Sequence, residues 1–297
     1  MRRVVAANPG PHTYHGTCTY IVGRGRVAVV DPGPDDAAHV AAVRAALRPD
    51  ERISHIVVTH THTDHSPAAR RLQQLTGAPI YGFGPQARTD DPDPTRVVFS
   101  DPDLDPDPSG VSPPRGGDSD FRADVQVVDA SLLEGDGWTL QCVHTPGHAT
   151  NHLCYGLKED GCLFTGDQVM GWATTVVSPP DGKLSEYMDS LETLLTRHSD
   201  TRYLPGHGPP IDQPHLLVQA LLRHRQSRNE QLLSLLANGS ASIAEIVPVL
   251  YATVNRQLWP AAAASVYAHL LYLEDLGSIE ADDGPKVLRA SRVRIVG

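Results

Sequence analysis

In residues 55–75, HIVVTHTHTDHSPAARRLQQL, an apolar run gives way to a helix-like segment through four polar side chains, His60, His62, Asp64 and His65. Residues two apart on extended backbone point the same way, so His60 and His62 can share one metal ion. Asp64 and His65 then turn toward the helix that Ser66-Pro67 opens, a good cap and first-turn pair, and can serve a second metal. Placing four such groups together at the end of a buried strand is costly unless a cation compensates. Neutral imidazole and carboxylate suit Zn²⁺, and also iron or manganese.

The rest of the chain limits what this cluster can belong to. Its 297 residues suit one large domain plus a small one, and 40% apolar content supports a sizeable core. A formal charge of −10 gives no general electrostatic footprint for nucleic acid. Cys18, Cys142, Cys154 and Cys162 form no C-x-x-C pair and read as free thiols in a reducing compartment. The opening MRRVVAANPGPHTYHG has no apolar signal region, and no run approaches the ~18 apolar residues of a membrane span. The expectation is a cytoplasmic chain with no membrane partner.

Outward from the histidines, short apolar runs alternate with Gly/Pro/Asp turns and helical spacing. Strands are expected at 17–23, 26–33, 52–59, 78–84, 125–129, 138–147, 152–158, 161–167 and 201–208. Helices are expected at 37–48, where Asp35 or Asp36 can cap, at 68–75 and at 184–198. Such a mixture implies layered α/β architecture. Residues 88–120, with nine aspartates and seven prolines, read as an exposed acidic loop, with a lid over a site as the sharper alternative. From residue 213 the texture becomes helical: 215–239, then a capping box SIAE at 242–245 opening a helix through Tyr251, then 260–277. Residues 278–297 read as a hairpin or wing. Domains are therefore expected at 1–212 and 213–297, the second winged-helix-like. The alanine-rich helix 260–277 reads as the inner face of that small domain, with a homodimer interface as the alternative.

Further ligands follow strands beside Gly or Pro: His148 in HTPGHAT, Asp167 in FTGD and His207 in LPGHGP. With the first cluster they supply five histidines and two aspartates, enough for two metals bridged by a carboxylate. His144 reads as a packed histidine, and His152 stays open between packing and supporting a ligand. His12, His15, His39, His198, His215, His224 and His269 read as ordinary surface or core residues.

HTHTDH, TPGH, FTGD and PGHG, in that order, resemble the motifs of the metallo-β-lactamase fold hydrolases over roughly residues 8–212. The resemblance implies an αβ/βα sandwich. It implies His60, His62 and His148 on one metal, Asp64, His65 and His207 on the other, and Asp167 bridging them. Asp31 in VVDPG matches a position that braces ligands from behind. NPGPHTYHGTCTYIVG, FTGDQVMGWATTVV, YLPGHGPPI and the helical tail are similar to the branch holding the lactamase-β-like endoribonucleases and polyketide thioesterases, and more distantly to glyoxalase II. Thr61 stands where many relatives carry an aromatic, close to a plausible substrate entrance.

Two divalent metals held by these residues would make bound water nucleophilic near neutral pH, for attack on an electrophilic carbonyl or phosphorus. Asp64 orients it and takes part in proton transfer. No Gly-x-Ser-x-Gly elbow occurs. The expected substrate is a thioester or related ester, small or carrier-bound. The alternative is single-stranded RNA, gripped by Arg223, Arg225, Arg228, Arg289, Arg292 and Arg294 of the tail. A lactone, or a non-hydrolytic metal scaffold or redox protein, completes the range.

Overall fold

The computed structural model describes residues 1–85, 117, 118, 120–282, 284, 286, 287 and 291–296. Arg289 and most of the acidic 88–120 stretch lie outside the described residues. Six strands form the first sheet side by side: Arg2–Val5 (β1), Cys18–Val22 (β2), Arg26–Val30 (β3), Arg52–Val57 (β4), Ile80–Gly82 (β5) and Val125–Gln126 (β6). The first three are antiparallel, and β3 to β6 run parallel. Two of the parallel steps cross over through helices, α1 (Ala37–Ala45) and α2 (Ala68–Thr76). The second sheet is built from Leu132–Gly135 (β7), Trp138–His144 (β8), Leu153–Leu157 (β9), Cys162–Gly166 (β10) and Arg202–Pro205 (β11), in the order β11-β10-β9-β8-β7. Its one parallel pair, β10 and β11, is joined through α3 (Leu184–Leu195).

The inner faces meet in one core, where Tyr20, Val30 and Val57 pack with Leu140, Tyr155 and Phe164. Val40, Val43 and Leu72 of α1 and α2 cover one outer face. Leu184, Tyr187 and Leu191 of α3, with Val218 and Leu221 of α4 (Pro214–Leu236), cover the other. This is the αβ/βα sandwich that the sequence motifs imply. Tyrosine hydroxyls tie the sheets together: Tyr155 donates to Val58 O and Tyr20 to Pro205 O, each at 2.8 Å.

α4 continues past the sandwich. Its Leu232 and Leu236 join a second core with α5 (Ile243–Leu250), α6 (Trp259–Asp275) and a small antiparallel sheet of Ala241–Ser242 (β12), Ile279–Ala281 (β13) and Arg292–Ile295 (β14). These helices and strands make the winged-helix domain. The capping box forms, with Glu245 Oε2 accepting from Ser242 N at 2.8 Å. Ala262 and Ala263 of α6 are buried inside this domain, the internal arrangement expected for the alanine-rich helix. Among the described residues, no helix is long and apolar enough to cross a membrane, and all four cysteines are free and buried.

Local readings differ at a few points. Asp36, not Asp35, caps α1, because Asp35 is taken by Arg71. Ser66 does not cap α2; its hydroxyl donates to Asp118 instead. The strand expected at 125–129 stops at Gln126, since Val127 tucks into the core and Asp129 accepts from His144 N. β1, β7 and β12 are short elements that periodicity did not single out.

Tyr155 is fully buried, so Tyr155→Phe leaves the Val58 carbonyl without its partner. Urea unfolding is expected to show a loss of about 1–3 kcal/mol; no change would mean that this tie between the sheets contributes nothing.

Candidate metal centre

All seven sequence-predicted ligands converge at one end of the sandwich. His60, His62, Asp64 and His65 follow β4, His148 follows β8, Asp167 follows β10 and His207 follows β11. Close backbone approach makes this geometry accessible. A Cβ on Gly206 would stand 2.6 Å from His65 Cε1 and 2.7 Å from Asp167 Oδ1. At Gly147, φ is +128° and a Cβ would stand 2.3 Å from the backbone of Tyr187, so only glycine delivers His148 from this turn.

The hydrogen bonds behind each ring fix its tautomer. His148 Nδ1 donates to Val176 O at 2.6 Å, and His62 Nε2 to Asp181 Oδ2 at 3.1 Å. Thr59 spends its one proton on Asp31 Oδ2, so it accepts from His60 Nδ1. The three inward nitrogens, His60 Nε2, His62 Nδ1 and His148 Nε2, are therefore bare, yet His62 Nδ1 lies 3.0 Å from each of the other two. Lone pairs this close repel unless a cation sits among them.

A second group adjoins the first. His65 Nδ1 donates to Asp31 Oδ2 at 2.9 Å, which turns Nε2 toward the second group. That nitrogen lies 3.3 Å from Asp64 Oδ2, Asp167 Oδ1 and His207 Nε2. Asp167 faces both groups: Oδ1 is 3.3 Å from His65 and His207, while Oδ2 is 3.6 Å from His148 Nε2. The donor atoms of His60, His62 and His148, and those of Asp64, His65 and His207, each lie within 4.8 Å of one another. This donor set, imidazole nitrogens among carboxylates, fits divalent cations.

Electrostatics point the same way. Burial, then His65 and His62, depress His60 well below the usual histidine range, and burial and His62 lower His148. Burial opposes charge on Asp64 and Asp167, yet His65 and His207 hold both carboxyls well below their ordinary range. Burial also opposes charge on His65 and His207. The carboxylates nevertheless raise His65 well above its ordinary value and His207 to about 9. The pocket demands positive charge, which protons supply in the absence of metal.

Several supporting residues are in place. Asp31 braces Thr59 and His65 from a left-handed conformation, φ +49°, a strain of roughly 1–3 kcal/mol. His152 is no ligand; its Nδ1 donates to Thr145, so Nε2 accepts from Asp167 N at 3.3 Å. His144 lies outside the cluster, stacked on Phe83. Thr61 is buried and its hydroxyl accepts from Asn151, so it faces inward and does not line an entrance. Sequence reasoning missed Asp181, which orients His62, and Thr17, whose hydroxyl donates to Asp64 Oδ2 at 3.0 Å. It also missed the rim stack of Tyr14 on Trp172, 5.0 Å between ring centres. Of the acidic stretch, Gly117 bridges His62 and Asp118 N donates to Thr61 O, so its end touches the histidine turn.

Residues 13–207 match the metallo-beta-lactamase superfamily. The chain belongs to that superfamily. It is thus an enzyme, a metal-dependent hydrolase, and residues 242–286 match the beta-lactamase associated winged helix domain. The chain is 31% identical to a beta-lactamase-like protein 2 homolog of Drosophila melanogaster, over 93% of this chain and 88% of the relative. It is 30% identical to an atrochrysone carboxyl ACP thioesterase of Aspergillus fumigatus, over 84% of this chain and 72% of the relative. A crystal structure of a metallo-beta-lactamase family protein from Thermus thermophilus has the same fold, with a TM-score of 0.71, 23% identity and 99% and 98% of the two chains covered.

His207 titrates at about 9 without metal, so it carries a proton at pH 7 that binding must displace, as does His65. Zn²⁺ uptake by the apoprotein at pH 7 is expected to release about two protons, with the yield falling as pH rises through 9. An indicator dye in weak buffer reads this; uptake without release would contradict the pairing of carboxylates with His65 and His207.

Proposed function

We propose that this chain hydrolyses a thioester or related acyl ester, on a small molecule or a carrier, at two divalent cations. His60, His62 and His148 hold one, Asp64, His65 and His207 hold the other, and Asp167 lies between them. Five imidazoles and two carboxylates favour zinc, with iron or manganese as alternatives. The 30% identity to an ACP thioesterase over 84% of the chain supports the thioester.

The observation that carries the choice against RNA is the state of the tail arginines. Arg225 is buried against Thr175 O, and Arg228 lies over Tyr251 and bonds Leu250 O. Arg292 pairs with Glu245, and Arg294 with Glu280 and Asp282. Of the described members of the set only Arg223 is exposed with no such partner. Arg225, being buried, can offer a phosphate nothing, while Arg292 and Arg294 would first have to exchange their exposed carboxylate partners.

When bound, a pair of divalent cations lowers the pKa of water toward 7 and polarises the carbonyl under attack. The protein supplies position. Thr17 holds the Asp64 carboxylate in place, so it can accept a hydrogen bond from the attacking water and steer it. Asp31 and Asp181 stop His65 and His62 from rotating. No side-chain nucleophile is required, and burial pushes the Cys142 and Cys154 thiols up to about 12, which rules both out as thiolates.

Zn²⁺-loaded protein should be assayed on an acyl-thioester series and on a single-stranded RNA oligonucleotide, with Asp64→Asn alongside. Thioester hydrolysis is expected, falling roughly 100-fold in the variant, with the RNA intact. RNA cleavage that disappears in Asp64→Asn and weakens steeply with salt would overturn the proposal.

A further inference from the structure

The segment after Asp167 is held at four consecutive points. Thr175 Oγ1 donates to Asp167 O at 2.8 Å and to Gln168 O at 3.1 Å. The Thr175 carbonyl accepts from Arg225 Nη2 at 2.5 Å. The next carbonyl, Val176 O, accepts from His148 Nδ1 at 2.6 Å, and Val177 is packed in the core beneath α3. Three of these anchors come from the sandwich. The fourth comes from α4, the helix that runs on into the winged-helix domain.

Arg225 is an unusual side chain for that task. It is 3% exposed, its guanidinium lies 5.2 Å from the centre of the Tyr187 ring, and it forms no ion pair among the described residues. Burying a cation without a carboxylate is costly, so a position that keeps one is using its hydrogen bond. That bond fixes the peptide between Thr175 and Val176. The carbonyl that accepts from His148 belongs to the next peptide, Val176–Val177, so the two anchors are joined through the backbone of Val176 alone. The carbonyl in turn keeps the proton of His148 on Nδ1 and its Nε2 lone pair pointed at His60 and His62. Groups that orient a ligating histidine from behind commonly affect metal affinity as much as they affect shape.

We infer that Arg225 is a positioning residue for the metal centre: through Thr175 and Val176 it orients His148, and so makes the His60/His62/His148 site depend on the docking of α4. The inference rests on metal binding by these residues, not on the identity of the substrate. Its prediction is asymmetric. Asp64 and His65 are oriented through Thr17 and Asp31, and His207 is placed by its Gly206 turn, so none of the three uses this strap.

The test is a Co²⁺ titration of the apoprotein, followed by visible absorption and by metal counting after dialysis against a weak chelator. Arg225→Met keeps the length and removes the donor. It should bind the first ion as wild type does and the second roughly 10- to 100-fold more weakly, with Arg225→Lys restoring part of the loss. Leu232→Ala, in the winged-helix core, controls for loss of stability and should lower the melting temperature while leaving both affinities alone. Equal weakening of both ions in Arg225→Met, unchanged affinity, or the same selective loss in Leu232→Ala would overturn the inference. If Arg225→Met does not fold, Arg225→Lys alone decides, by a selective or an absent loss of the second ion. Failure of the wild type to bind Co²⁺ would overturn the metal-centre reading itself, a result distinct from all of these.

Discussion

Three imidazole nitrogens without protons converge, His62 Nδ1 lying 3.0 Å from each of the other two, beside the carboxylates of Asp64 and Asp167, and the rest of the structure is arranged around that repulsion. Folding alone gives no reason to collect such groups. A divalent cation in each group would turn the same crowding into attraction, and metal binding would then contribute folding free energy.

Holding that arrangement takes most of the fold's special features. Ligands arrive from both sheets, so the sheets must keep their mutual position, which the Tyr155 and Tyr20 hydroxyls help to fix. Each ring is oriented by a group behind it: Thr59 for His60, Asp181 for His62, Asp31 for His65 and Val176 O for His148. His207 differs, for its Nδ1 is buried with no partner among the described residues. Its position is set by the PGHG turn, where Gly206 lets the backbone come within contact of His65 and Asp167.

The convergence of the candidate ligands was legible in the sequence because their spacing and neighbours carry chemistry. His60, His62, Asp64 and His65 crowd the end of an apolar run, and His148, Asp167 and His207 stand beside glycine or proline at strand ends. The sandwich followed from the alternation of apolar runs and helical segments. What stayed hidden is tertiary. Asp181 sits in a Pro-Pro-Asp-Gly turn like any surface aspartate, and only the fold brings it to His62. Arg225 reads as one of several basic residues on a long helix, and only packing shows it buried under Thr175. The same holds for the tail arginines, whose charges looked available until Glu245, Glu280 and Asp282 were found beside them. Very short edge strands such as β12 carry too few residues for any period to show.

The most direct test of the central claim is the number of divalent ions the folded chain binds, counted by native mass spectrometry after loading with Zn²⁺ and removing excess. Two ions per chain are predicted, bound without loss of the folded charge-state envelope. A chain that stays folded and carries none at saturating Zn²⁺ would show that protons alone balance the carboxylates, and would contradict the account.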